Sequence, residues 1–171
     1  MPPKPRSDDG PLVRAARGGD GVAFGRLFER YVNLVHGVLL SRVNAADADD
    51  LTQEVFLVAY QKLSTLAEPD AFGGWLLAIA RNRATDLMRK RVDEHALPEV
   101  PVSDPRRAEA EQVLAVIRTL PEAYREPLVL RLVEGMTGPE IAARTGLKPE
   151  SVRVNLHRGL GLLRERMGSD E

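Results

Sequence analysis

The chain has 171 residues, of which 43% are hydrophobic, and its 24 basic and 25 acidic side chains leave a formal net charge of −1. That length suits one medium domain or two small ones with a buried core, and the charge balance excludes a generic polycation, so any affinity for nucleic acid must come from local patches. The absence of cysteine excludes disulfides, thiolate catalysis and cysteine-based zinc sites.

Residues 1–9 read as a disordered tail. The Pro-rich start MPPKPRSDDG lacks the apolar centre of a secretory signal, and no apolar run approaches the ~18 residues of a membrane span. A cytoplasmic protein without membrane insertion is expected. A short helix begins near Gly10 and ends at Gly18-Gly19, after which Asp20 is placed to cap a long helix carrying Phe24, Leu27, Phe28, Tyr31, Leu34, Val35 and Val38 at three- and four-residue spacing. After Asn44, the segment AADADDLTQEVFLVAYQKL gathers acids at a helix start and apolar residues Leu51, Val55, Phe56, Val58 and Ala59 along one side. A loop from Ser64 to Gly74 leads into the helix WLLAIARNRATDLMRKR, with Leu76, Ile79, Ala80, Leu87 and Met88 inward. These helices form one small domain over residues 10–92.

Prolines 98, 101 and 105 interrupt the next stretch, so residues 93–108 read as a flexible linker. Sixteen extended residues reach roughly 50 Å, about 15 base pairs of duplex. Charge segregates around this linker. Trp75 to Val92 holds five basic residues and one acid, Arg144 to Arg166 holds six and two, and Asp93 to Gln112 is acidic. Two basic surfaces that attract phosphate are thus separated by one that repels it.

Helices at about 107–119 and 121–134 open a second domain over residues 109–167, followed by a tail at 168–171. Within it, TGPEIAARTGLKPESVRVNLHR (Thr137 to Arg158) has helix-turn-helix spacing. Thr137 is an N-cap, Pro139 and Glu140 suit the first turn, and Gly146 can take the left-handed conformation that ends the helix. Leu147 is placed to plug the core at the turn. In the second helix Val152, Leu156, Leu160 and Leu163 share a side, with Glu150, Ser151, Val154, His157 and Arg158 roughly opposite. The same spacing also fits an ordinary helical hairpin. No strand pattern appears, so the chain is expected to be all-α: three to four helices, a linker, and a second helical domain.

Three passages, in this order, resemble bacterial RNA polymerase sigma factors of the small extracytoplasmic-function (ECF) group: DADDLTQEVFLVAY (Asp47 to Tyr60), FGGWLLAIARNRATDLMRKR (Phe72 to Arg91), and Leu120 to Leu160. The resemblance implies sigma region 2 in the first domain and sigma region 4 in the second. It implies that the first passage grips the β′ clamp helices of core RNA polymerase, where Asp49, Asp50, Gln53 and Glu54 offer carboxylates and an amide at helical spacing. A solvated acidic helix face explains the same residues. The second passage would read the −10 element through Phe72, Trp75, Asn82, Arg83, Arg89 and Lys90, with Arg81 and Arg91 also holding phosphates and the loop Leu66 to Phe72 lining a pocket for a flipped base. Stacking contributes about 1–3 kcal/mol per base; Trp75 is equally a candidate for the core. The third would read the −35 element through Lys148, Ser151, Arg153, Asn155, His157 and Arg158. Family members usually continue more basically after the position of Arg158, where this chain has Gly159, Leu160 and Gly161. That puts phosphate affinity there in doubt and suggests local loosening.

The implied function is to bind core polymerase, including its β flap, and direct it to promoter DNA, with an anti-sigma factor as a further partner. No catalytic residue, metal site or cofactor is expected, because the three histidines (His36, His95, His157) lie in separate segments and Gly73-Gly74 lacks the lysine and hydroxyl of a phosphate loop. Two other readings remain: a helix-turn-helix regulator that binds an operator without polymerase, and an adaptor that has lost DNA reading.

Overall fold

The computed structural model describes residues 8–94 and 104–168, and among them the secondary structure is helical without strands. The first half contains α1 (Asp9–Arg17), α2 (Gly21–Leu40), α3 (Ala45–Lys62) and α4 (Phe72–Asp93), with short 3-10 turns at Leu63–Thr65 and Pro69–Ala71 before α4. The second contains α5 (Pro105–Thr119), α6 (Glu122–Leu132), α7 (Gly138–Thr145) and α8 (Pro149–Gly168).

Local chemistry fixes the helix starts. Asp20 accepts from the amides of Val22 and Ala23 to open α2, and Asn44 accepts from Asp47 N–H to open α3. The apolar stripes then meet: Leu27, Leu34, Leu76 and Leu77 are fully buried, each contributing about 1.5–3 kcal/mol relative to exposure. Asp9, at the edge of the supposed tail, is buried in α1, where it accepts hydrogen bonds from Arg30 and the Tyr31 hydroxyl. Arg17 closes the far end of this half by donating to the carbonyls of Leu63 and Leu66, which holds the loop before α4 against α1.

Helix α5 begins at Pro105, inside the segment expected to be linker. Asp104 accepts from Arg106 N–H, and a proline at the first helical position needs no amide partner, so this proline starts a helix instead of interrupting one. Residues 1–7, 95–103 and 169–171, which include most of the expected linker and tails, lie outside the described residues. Met88 and Leu147, read as inward-facing, are exposed.

The two halves pack on each other, mainly α2 on α6 and α4 on α7. Close approach requires Gly37: a Cβ there would lie 2.7 Å from Leu130 Cδ2 and 3.0 Å from Glu134 Cγ.

Candidate nucleic-acid interface

The helix-turn-helix is built by its local sequence. Thr137 and Glu140 form a reciprocal capping box at the start of α7: the Glu140 amide donates to Thr137 Oγ1, and the Thr137 amide donates to the Glu140 carboxylate. These bonds from the Thr137 backbone and side chain hold the Glu140 carboxyl below its usual range. Gly146 ends α7 with φ 78°. Buried Ile141, Ala142, Val152 and Leu163 fix α7 and α8 to the core, which leaves Lys148, Ser151, Arg153, His157 and Arg158 exposed and Asn155 half-buried. Arg153, Val154, His157 and Arg158 border one shallow depression on α8.

The two glycines that follow have different roles. Gly159 is buried, and a Cβ there would lie 3.0 Å from Leu128 Cδ1 and 3.1 Å from Tyr124 Cβ, so this glycine lets α8 press against α6. Nothing lies within 4 Å of a Cβ at Gly161. Gly161→Ala should therefore raise stability by about 0.5–1 kcal/mol through helix propensity alone. Gly159→Ala has the same propensity gain but must displace Leu128, so its melting temperature should fall below that of Gly161→Ala. Equal melting temperatures would contradict the packing role.

On α4, Phe72 is a correction to the sequence reading. It is fully buried against Tyr31 (ring centroids 5.4 Å) and Trp75 (5.9 Å), and so offers no face to a base. The aromatic ring is drawn inward because it opens α4 at the junction with α2, where Gly73 also lies against Tyr31. Trp75 is half-buried on the same cluster, which accommodates both of its readings. Asn82, Arg89 and Lys90 are exposed. Arg83 instead donates to Glu54 at 2.8 Å, so an expected phosphate ligand and an expected polymerase contact are paired with each other. Arg91 similarly pairs with Asp47 at the start of α3.

On α3, Asp50 and Gln53 are exposed, whereas Asp49 lies 2.9 Å from His36 Nε2. The other ring nitrogen of His36 is 3.6 Å from Glu134, at the end of α6. Glu134, the better-buried carboxylate, raises the His36 pKa most; burial lowers it, Asp49 adds to the rise, and the net direction is upward. The protonated imidazole thus stabilises the folded state fully below the ordinary value of about 6.5, and that contribution disappears as pH climbs through the raised folded value. Thermal melts of wild type and His36→Gln should accordingly differ most at pH 6 and converge at higher alkaline pH. A difference that is flat with pH would contradict this.

Sequence reasoning missed a further cluster. Glu126 of α6 is buried and receives a two-pronged pair from Arg81 of α4 (2.8 and 3.0 Å) and a bond from Arg42 after α2 (3.2 Å). Burial pushes its carboxyl up, but the hydrogen bonds and charges of Arg81 and Arg42 outweigh this and hold it below the usual range. The available signal was a lone acid directly before the fully apolar run PLVL.

Two helical halves, each presenting an exposed basic or polar helix and the second carrying a helix-turn-helix, have the features of a DNA-binding protein. Residues 27–93 match the family Sigma-70 region 2, and residues 110–163 match Sigma-70, region 4. The RNA polymerase sigma factor CarQ of Myxococcus xanthus is 35% identical over 91% of this chain and 95% of its own length. The ECF RNA polymerase sigma factor SigE of Mycolicibacterium smegmatis is also 35% identical, over 71% of this chain, and the match spans about half (52%) of SigE. Among solved structures, CnrH in complex with the cytosolic domain of CnrY matches with a TM-score of 0.67 and 29% identity, covering 96% of this chain and 100% of that one; CnrH is an RNA polymerase sigma factor of Cupriavidus metallidurans. The chain belongs to the ECF RNA polymerase sigma factors. Directing transcription initiation at promoters is the function that this membership gives it.

Proposed function

We propose that the chain works as a two-point promoter grip carried by core RNA polymerase. The observation that supports it is one exposed reading surface on each half: Asn82, Arg89 and Lys90 on α4, and Lys148, Ser151, Arg153, His157 and Arg158 on α8. The first would take the −10 element, with Trp75 and Asn82 beside an unstacked base, and the second the −35 element. Asp49, Asp50, Gln53 and Glu54 on α3 would face the β′ clamp helices, and the second half would meet the β flap. The chain performs no chemistry in this scheme; the polymerase makes RNA.

By analogy with CnrH and the cytosolic domain of CnrY, we also propose that an anti-sigma factor controls this protein. No described helix is long and apolar enough to cross a membrane, and the proposed site of action is the cytoplasm with the polymerase. An operator-binding regulator would have no need of the second basic helix, α4, which disfavours that alternative.

Transcription with core polymerase on a set of −10 variants tests the α4 assignment. Asn82→Ala should keep activity on the best promoter but lose discrimination among the variants, by about 1–3 kcal/mol across the preferred base. Unchanged discrimination would remove Asn82 from the reading surface.

A further inference from the structure

The loop that enters α4 is built from two single 3-10 turns joined by extended backbone, at Leu66 (φ −69°, ψ 113°) and Glu68 (φ −111°, ψ 108°). Ala67, Glu68 and Ala71 are exposed, and Trp75 follows one turn into α4. Helix α1 braces this loop from behind. The Arg17 guanidinium forks across it, with Nε donating to the Leu63 carbonyl at 3.1 Å and Nη2 to the Leu66 carbonyl, while both leucine side chains are buried. Gly10 stands two turns earlier on the same face of α1, about 10 Å along its axis. It is buried, and a Cβ there would collide with the Asp70 carboxylate. The adjacent Asp9 accepts from the Tyr31 hydroxyl, and the Tyr31 ring packs on Phe72 where the loop ends. The loop is thus held at its start, near its end and at the junction with α4, and each tie leads back to α1.

We propose that Arg17 is a positioning residue for −10 selectivity: it holds residues 63–71 as a preformed surface for one unstacked base and does not itself touch DNA. The proposal rests on the promoter-grip reading above, because it takes this loop and Trp75 to face that base. An exposed, extended segment offers backbone amides and carbonyls to a base edge. Such groups discriminate only while they are held in place: a loop free to move re-forms its hydrogen bonds around the wrong base, whereas a fixed loop leaves groups unpaired against it. Ordering the loop before DNA arrives also removes that entropy cost from binding. Arg17 lies in the last turn of α1, and the helix dipole favours a cation there, but the dipole alone does not require a fork onto two loop carbonyls.

Three variants separate the fork from the charge and from the fold. Arg17→Met keeps the apolar stem and removes the fork, Arg17→Lys keeps the cation without the planar fork, and Gly10→Ala presses on Asp70 at the other end of the loop. Each full-length variant is combined with core RNA polymerase, well below its melting temperature, and transcribes promoters altered one position at a time in the −10 and −35 elements. The −35 series reports any general loss of function. Loop motion is read separately: the chain has no cysteine, so a spin label on Ala67→Cys, at an exposed position, reports the loop alone. Arg17 is exposed, so Arg17→Met keeps the test decisive if circular dichroism shows that Gly10→Ala fails to fold.

The expected result is a loss of selectivity at one −10 position in Arg17→Met, by about tenfold, as for the loss of one well-made base contact. Its response to every −35 change should match that of wild type, and its Ala67 label should move more freely. Arg17→Lys should fall between the two at the same position, and Gly10→Ala should lose selectivity there as well. Wild-type selectivity in Arg17→Met would overturn the proposal, as would an unmoved label. A loss spread evenly over −10 and −35 changes, in step with melting temperature, would also overturn it and leave Arg17 a merely structural residue. Asn82→Ala separates these failures from failure of the underlying reading: lost −10 selectivity in Asn82→Ala but not in Arg17→Met removes Arg17 alone, whereas no −10 preference in wild type with core polymerase overturns the grip and this proposal together.

Discussion

Phe72→Ala is expected to destabilise the protein by about 3–5 kcal/mol, while Phe72→Leu costs less and retains promoter-selective transcription. Phe72 is fully buried where α4 begins, its ring set edgewise to Tyr31 at 5.4 Å and 65°. Tyr31 in turn donates to buried Asp9, and burial, followed by this hydrogen bond and the charge of Asp9, holds its hydroxyl protonated well above the ordinary range. Removal of the Phe72 ring therefore leaves a cavity beside a polar group whose position depends on packing. Leucine fills most of that space without offering a surface on which a base could stack. Chemical denaturation measures the first effect and transcription at permissive temperature the second. Full stability of Phe72→Ala together with lost −10 recognition would restore the reading of Phe72 as a DNA contact.

Arg158→Ala is expected to leave stability within about 0.5 kcal/mol and to weaken −35 binding by about 1–3 kcal/mol if the guanidinium reads a base. Arg158 is exposed on α8, on the rim of the depression it shares with Arg153 and His157, and its role is thus separable from folding. Holoenzyme binding to duplexes altered one position at a time distinguishes two contacts. A base contact gives relaxed specificity at one position; a phosphate contact gives uniform weakening and a salt slope smaller by about 1. No effect on any duplex would remove Arg158 from the interface.

Which features were legible in the sequence follows from how local their causes are. The capping box of α7, the Asp20 cap of α2 and the left-handed Gly146 each involve residues within a few positions of one another, so spacing alone reveals them. The exposed arc of α8 is similarly a matter of period. Phe72 was not legible in this way: a leading aromatic on a basic helix has the same local appearance whether it meets DNA or Tyr31, and only the crossing of α2 and α4 decides. Pro105 is ambiguous in sequence for a related reason, since proline both breaks a helix and begins one, and Asp104 one position earlier is what selects the second role. Arg81, Arg42 and Glu126 are 45 and 84 residues apart in their pairings, beyond any periodicity. Gly159 and Gly161 differ only in what packs above them.

Footprinting of a target promoter with the purified chain, with core RNA polymerase, and with both tests the two-point grip most directly. Protection of the −10 and −35 elements, with opening of the duplex between the −10 element and the start site, is expected only when chain and core are present together. A sharp, sequence-specific footprint from the chain alone, unchanged by core polymerase, would contradict it.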